Sequence, residues 1–209
     1  MTVDHFCKDL NQLYILTAQR SNGHISIIDN TDRNNDPNFI DPMKNPEVEK
    51  YSYCISFKDD YIIVDDHRFQ ANVLVTDSFF LQLMDYPVIS GIKTIQRPDD
   101  AIITRKYAKH LFKDENPLGK QLVSSAGYTL TIRGIVDEPD TKSSLQFDLI
   151  TRVNQGKYMD WSRMGFCITR LVKGTELAKF NEKISKPQSL ICFSHSPIQF
   201  RLFPLKELY

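Results

Sequence analysis

Three short sequences contain residue types that could carry out chemistry. The Ser-His-Ser sequence at 194–196 offers a nucleophile beside a base, and the Asp-Asp-His sequence at 65–67 offers metal ligands. The Gly-Lys pair at 119–120 resembles the end of a phosphate-binding loop, but the preceding glycines are missing and Gln121 replaces the Ser or Thr. Neighbours on a strand point to opposite faces, so 194–196 is a poor catalytic set. We interpret 65–67 as a hairpin turn and predict no catalytic site.

An acidic loop at 32–37 resembles half of a calcium-binding loop. Pro37 stands where that loop needs glycine for its sharp turn, and Met43 stands where a bidentate Glu belongs. We therefore interpret the loop as a solvated surface segment, with a weak cation site as the alternative. No cofactor is predicted.

The four cysteines have no metal-ribbon or thioredoxin spacing, because no two of them are separated by two residues. They are Cys7, Cys54, Cys167 and Cys192. We expect buried thiols, because a chain of this length needs no disulfide to fold. The sequence leaves open whether any of them pair.

Composition places the chain among globular proteins. It has 209 residues, of which 41% are hydrophobic and 25% charged, and its net charge is zero. A neutral chain argues against a nucleic-acid partner. Its apolar stretches are short, such as 61–64, and fall below the roughly 18 residues that a transmembrane helix needs.

The zero net charge hides an asymmetry along the chain. Residues 29–66 carry ten acids and four bases, a net charge of −6, whereas residues 151–209 carry ten bases and four acids, a net charge of +6. Either these are two solvated surfaces, or the two segments lie side by side and neutralise each other.

Hydrophobic periodicity predicts a mixture of strands and helices, so we predict an α+β fold in two mixed α/β lobes. Capping residues predict the start of three helices, at Thr76 or Asp77, at Thr104 and at Thr175. Two more helices are predicted at 2–13 and 47–49. The predicted strands lie at 14–17, 24–28, 51–57, 61–64, 68–75, 101–103, 128–136, 147–151, 165–172 and 199–203. Those at 51–57 and 61–64 are predicted to pair across the polar residues 58–60.

The middle of the chain carries an ordered series of motifs. Val-Thr-Asp-Ser-Phe-Phe at 75–80 is followed by Ala-Lys-His-Leu-Phe at 108–112, Asn-Pro-Leu-Gly-Lys at 116–120 and Gly-Ile-Val at 134–136. In this order they resemble the MacB-like periplasmic core domain of FtsX-like ABC-transporter permeases. The residues that match this pattern, with structural roles in turns, caps and core, are Asp77, Phe79, Phe80, Gly91, Leu111, Phe112, Asn116, Pro117, Gly119, Gly134 and Pro139.

The resemblance implies a fold and a location. A porter-like lobe is built from both chain ends, 1–68 and 148–209, and a second lobe, 69–147, is inserted between them. The domain stands on the periplasmic side of the inner membrane, as an excised part of a membrane protein. Asp4 and Tyr209 are then expected at one end of the molecule. Gly119 is expected in a left-handed turn, and Phe80 and Phe112 in the core.

The resemblance also implies a non-catalytic role. The domain is expected to transmit ATP-driven motion for export or for remodelling of a partner. Its implied partners are flanking transmembrane helices, a cytoplasmic ATPase, and a second copy of the domain or a periplasmic adaptor. The alternatives are a ligand-sensing domain of a permease-like protein and, more remotely, a hydrolase that uses Ser194, His195 or a cysteine.

Overall fold

A computed structural model describes residues 7–20, 25–27, 41–137, 145–152, 165–186, 188–189 and 197–207. The strands are β1 Leu13–Arg20, β2 Ile25–Ile27, β3 Val48–Val64, β4 His67–Thr76, β5 Val88–Gly91, β6 Asp100–Thr104, β7 Gln121–Ser124, β8 Thr129–Val136, β9 Leu149–Arg152, β10 Gly165–Leu171, β11 Gln188–Ser189 and β12 Pro197–Pro204. The α-helices are α1 Phe80–Met84, α2 Arg105–Phe112 and α3 Leu177–Ile184. Single 3-10 turns occur at Leu10–Gln12, Pro42–Lys44 and Leu205–Glu207. This mixture confirms the predicted α+β class.

The chain divides into two compact units. Unit 1 consists of Met1–Lys8 and Cys54–Asp160, and unit 2 consists of Asp9–Tyr53 and Trp161–Tyr209. The lobes predicted from the sequence, 1–68 with 148–209 and 69–147, have other bounds and stay a prediction. Among the described residues, no helix is both long enough and apolar enough to cross a membrane.

The strands of unit 1 close into a ring around an apolar core. Antiparallel pairs join β3 to β4, β9 to β6, β8 to β7 and β7 to β3, and parallel pairs join β4 to β9 and β6 to β8. Helix α2 packs on this core through Tyr107, Ala108 and Phe112. Thr104 begins the helix as predicted, because its side-chain oxygen accepts a hydrogen bond from the Tyr107 amide at 3.2 Å.

Unit 2 is built from residues near both ends of the chain. Its central strand β1 pairs in antiparallel fashion with β10 and β12. Helix α3 covers this sheet, and its Phe180 joins Leu16 and Phe200 in one buried cluster. The Lys183 ammonium lies 2.8 Å from the Glu47 carboxylate, so one ion pair joins the basic and acidic segments of the sequence.

Two predictions about β3 are wrong. Val48 begins this strand, so no short helix forms at 47–49, and the strand then runs unbroken to Val64. The polar residues 58–60 form a β-bulge in the pairing with β4 instead of a turn. Asp59 makes the bulge by adopting a left-handed conformation with φ of 56°, while its carboxylate accepts a 2.8 Å hydrogen bond from Gln70.

The hairpin itself lies at the Asp-Asp-His sequence, as predicted. Asp65 and Asp66 both have positive φ, 46° and 64°, and they connect β3 directly to β4. Positive φ at both central residues gives a two-residue turn the twist that a hairpin requires. The short side chains of these residues tolerate it better than most.

Three helix predictions also differ from the structure. Helix α1 has Phe79 as its N-cap, so neither Thr76 nor Asp77 caps it. In the described part of the 2–13 segment, 3-10 turn Leu10–Gln12 is the helical piece, and Leu13 already begins β1, where it is fully buried. The apolar residues at helical spacing therefore do not form one helix up to residue 13, because Leu13 is buried as part of a strand. At α3 the N-cap is Glu176, one residue after the predicted Thr175, and Glu176 makes no side-chain capping bond.

Candidate functional site

The first group of motif residues surrounds the start of α1. The Asp77 carboxylate accepts a 2.8 Å hydrogen bond from the Phe79 amide and so closes the turn after β4. Phe80, at the start of the helix, is 1% exposed, and its ring lies 5.9 Å from Tyr86 and 6.0 Å from Phe147. Phe79, the N-cap of the helix, is 44% exposed and does not belong to the buried side of α1.

The second group is a close approach between β5 and β8. Gly91 has φ of 79°, and a Cβ atom there would lie 2.0 Å from the carbonyl oxygen of Arg133. A Cβ atom on Gly134 would lie 2.7 Å from the carbonyl oxygen of Ile92. The Ile92 amide donates a 2.9 Å hydrogen bond to the Arg133 carbonyl. Both glycines are therefore required by the distance between the two backbones.

The third group forms the turn between α2 and β7. The Asn116 side chain accepts a 3.1 Å hydrogen bond from the Leu118 amide, and Pro117 is buried. Gly119 has φ of 84°, which confirms the predicted left-handed turn. Its amide donates a 2.8 Å hydrogen bond to the carbonyl oxygen of Ile132. Before the turn, Leu111 packs partly buried against the core that contains Phe112.

Lys120 is engaged by its neighbours. Its ammonium group forms an ion pair with the Glu115 carboxylate and lies 4.7 Å from the centre of the Phe112 ring. The hydrogen bond from Lys120 and its positive charge lower the pKa of Glu115. The Gly-Lys pair thus has a role in the packing of this turn.

A polar network supports the parallel pair β4 and β9. The Asp148 carboxylate accepts hydrogen bonds from the Asn72 amide at 2.7 Å and from its side chain at 3.1 Å. Nearby, the Tyr107 hydroxyl donates to the carbonyl of Gln70 at 2.9 Å. Burial and the negative charge of Asp148 raise the pKa of Tyr107. This tyrosine therefore stays a neutral donor at physiological pH.

A buried carboxylate that the sequence analysis missed lies at the start of β6. Asp100 is 3% exposed, and one of its oxygens accepts from the amides of Gln96 and Arg97 at 3.1 and 2.9 Å. The guanidinium of Arg133 lies 3.8 Å from the other oxygen. The carboxylate thus holds the loop before β6. The signal available in the sequence was an acid at the edge of a wholly apolar strand.

The remaining chemical candidates are dispersed in the described residues. Cys7, Cys54 and Cys167 are buried thiols, as expected, and the Cys54 sulfur lies 3.2 Å from the Thr76 hydroxyl. Across the described ranges, no three His, Cys, Asp or Glu side chains are placed to hold one metal ion. Several predictions lie outside these ranges, namely those on Asp4, the 32–37 loop, Pro139, Cys192, Ser194, His195 and Tyr209.

The sequence matches a family model over most of its length. The model is that of the MacB-like periplasmic core domain, and the match covers residues 3–186. The chain belongs to the MacB-like periplasmic core domain family. It is thus a periplasmic domain of the kind found in MacB- and FtsX-like ABC-transporter permeases, which the resemblance had implied. No curated protein sequence matches the chain significantly.

Solved structures of three proteins share the fold of this MacB-like domain. A domain assigned to a permease protein from Porphyromonas gingivalis has a TM-score of 0.71 and 16% identity, with 96% of this chain and 93% of that chain covered. The periplasmic region of MacB from Actinobacillus actinomycetemcomitans has a TM-score of 0.63 and 12% identity, with 93% and 92% covered. The extracellular domain of the noncanonic ABC-type transporter YknZ from Gram-positive bacteria has a TM-score of 0.65 and 13% identity, with 91% and 99% covered.

Proposed function

We propose that this MacB-like domain is a non-catalytic, moving part of an ABC-transporter permease. It transmits ATP-driven motion on the periplasmic side of the inner membrane, either for export or for remodelling of a partner. The proposal is supported by the structural roles of the motif residues in a chain that belongs to a periplasmic core domain family. In the described residues they close turns, let backbones approach each other, or fill the core.

Transmission of movement needs bodies that resist deformation. A densely packed interior has low compressibility, so a displacement applied at one point moves the whole body. The closed ring of strands in unit 1 and its buried core supply that stiffness. Gly91 and Gly134 let the backbones of β5 and β8 approach each other more closely than a Cβ atom would allow.

The partners follow from this role. Flanking transmembrane helices carry the movement from a cytoplasmic ATPase to the domain. A second copy of the domain, or a periplasmic adaptor, receives it. The inserted lobe predicted at 69–147 is then the part nearer to the partner, and the porter-like lobe predicted at 1–68 and 148–209 is the part nearer to the membrane.

A reversible lock tests whether domain motion is the mechanism. In the full-length transporter, we expect a disulfide that joins two copies of this domain to abolish transport and to leave ATP binding intact. Reduction of the same preparation should restore transport, which provides a control without a second variant. Transport at the full rate by the oxidised, locked protein would contradict the proposal and favour a sensing or anchoring role.

A further inference from the structure

The end of α1 contains a strained residue. Asp85 follows the last helical residue with φ of 51° and ψ of 31°, which is the left-handed conformation. Helices commonly end in this way, but the position favours glycine, or sometimes asparagine, because a Cβ atom is unfavourable there. We therefore expect an interaction of the Asp85 carboxylate that offsets this unfavourable conformation.

That carboxylate binds a distant part of the chain. Asp85 Oδ2 accepts a 3.0 Å hydrogen bond from the backbone amide of Lys8, 77 residues away. Beside it, the Cys7 thiol donates to the carbonyl oxygen of Met84 at 3.2 Å, and Cys7 is 4% exposed. Two consecutive residues are thus fastened to the last turn of α1. We name this pair of hydrogen bonds the α1 anchor.

The α1 anchor is attached to a rigid part of unit 1. Leu83 and Met84 are completely buried, and Phe80 fixes the other end of the helix in the aromatic cluster. The anchored residues 7–8 also belong to unit 1, whereas the chain from Asp9 onwards belongs to unit 2. The anchor therefore lies at the point where the chain passes from one unit to the other.

We propose that Asp85 is a positioning residue for motion transfer. Through the α1 anchor, a displacement of the segment before β1 reaches α1 of unit 1 directly. This inference rests on the proposed function, since it assumes that movement enters along that segment. Without the carboxylate, the segment can shift while α1 stays in place, and ATP hydrolysis then becomes less tightly coupled to transport.

Glycine at position 85 separates this role from stability. Asp85→Gly removes the acceptor and suits the left-handed conformation, so the fold should be retained. Asp85→Asn keeps an acceptor oxygen and tolerates the same conformation. Asp66→Gly is the matched control, because Asp66 has φ of 64° in the β3–β4 hairpin, far from the α1 anchor in the chain.

The experiment uses the full-length permease with its ATPase. Hydrogen exchange reports the Lys8 amide, and transport is measured per ATP hydrolysed. In Asp85→Gly, we expect the Lys8 amide to exchange about tenfold faster or more, since the bond to a carboxylate is lost. Transport per ATP should fall severalfold in this variant, whereas Asp85→Asn and Asp66→Gly should match the wild type in both measurements.

Each other outcome overturns the inference. If Lys8 exchanges at the wild-type rate in Asp85→Gly, the α1 anchor does not hold the segment. If exchange becomes faster but transport per ATP is unchanged, the anchor exists and transmits nothing. Neither result affects the proposed function, because the disulfide lock tests that separately through the movement of whole domains.

Discussion

Replacing Phe80 with Ala is expected to lower the free energy of unfolding of this domain by about 3–5 kcal/mol. The ring is 1% exposed and has Tyr86 and Phe147 as aromatic neighbours, so its removal leaves a cavity that the helix α1 cannot fill. Urea unfolding followed by circular dichroism measures the loss.

Phe79→Ala is the matched control for this change. Phe79 has the same side chain in the adjacent position but is 44% exposed. We expect a loss of about 1 kcal/mol or less, as for a surface substitution. Equal losses in the two variants would show that Phe80 is not the buried member of the pair, and that the start of α1 is arranged differently.

The second large effect is expected at Gly91. Gly91→Ala should lower the free energy of unfolding by about 3 kcal/mol or more, because left-handed strain adds to a steric clash. The new Cβ atom would lie 2.0 Å from the Arg133 carbonyl oxygen, so β5 must move away from β8. Thermal unfolding of the purified domain detects such a loss as a clearly lower melting temperature.

Substitutions at two other glycines measure the cost of the left-handed conformation without a steric clash. Gly127 and Gly119 have φ of 82° and 84°, and a Cβ atom at either would have no heavy atom within 4 Å apart from those of the residue itself and its chain neighbours. Gly127→Ala should therefore cost only about 1 kcal/mol. Gly119→Val, with its branched side chain, should cost about 1–3 kcal/mol. A loss at Gly91 no larger than that at Gly127 would contradict the close approach of β5 and β8.

Local patterns in the sequence predicted a good part of unit 1. The alternation along β4 and β8 reflects side chains that point in turn to the core and away from it. Thr104 could be predicted as a helix cap because it stands just before apolar residues at helical spacing. Its hydroxyl oxygen can accept a hydrogen bond from a backbone amide in the first turn of the helix. Gly119 was readable as a turn residue because it follows Asn116 and Pro117 in a polar segment.

Features that depend on residues distant in the chain could not be predicted from local sequence patterns. Asp59 looks like part of a turn in the sequence, but pairing of β3 with β4 continues past it and makes it a bulge. Gly91 was placed in a motif, yet the reason for glycine is the Arg133 carbonyl on another strand. The bond between Lys8 and Asp85 joins residues that no local pattern relates.

In the role proposed for this MacB-like domain, movement driven by ATP reaches its target through the domain. The most direct measurement replaces residues 7–207 of the full-length permease by a flexible Gly-Ser linker, and follows ATP hydrolysis and export in the same preparation. We expect the membrane part still to insert and to hydrolyse ATP, while export falls to background. Export at the wild-type rate without the domain would contradict the proposed role.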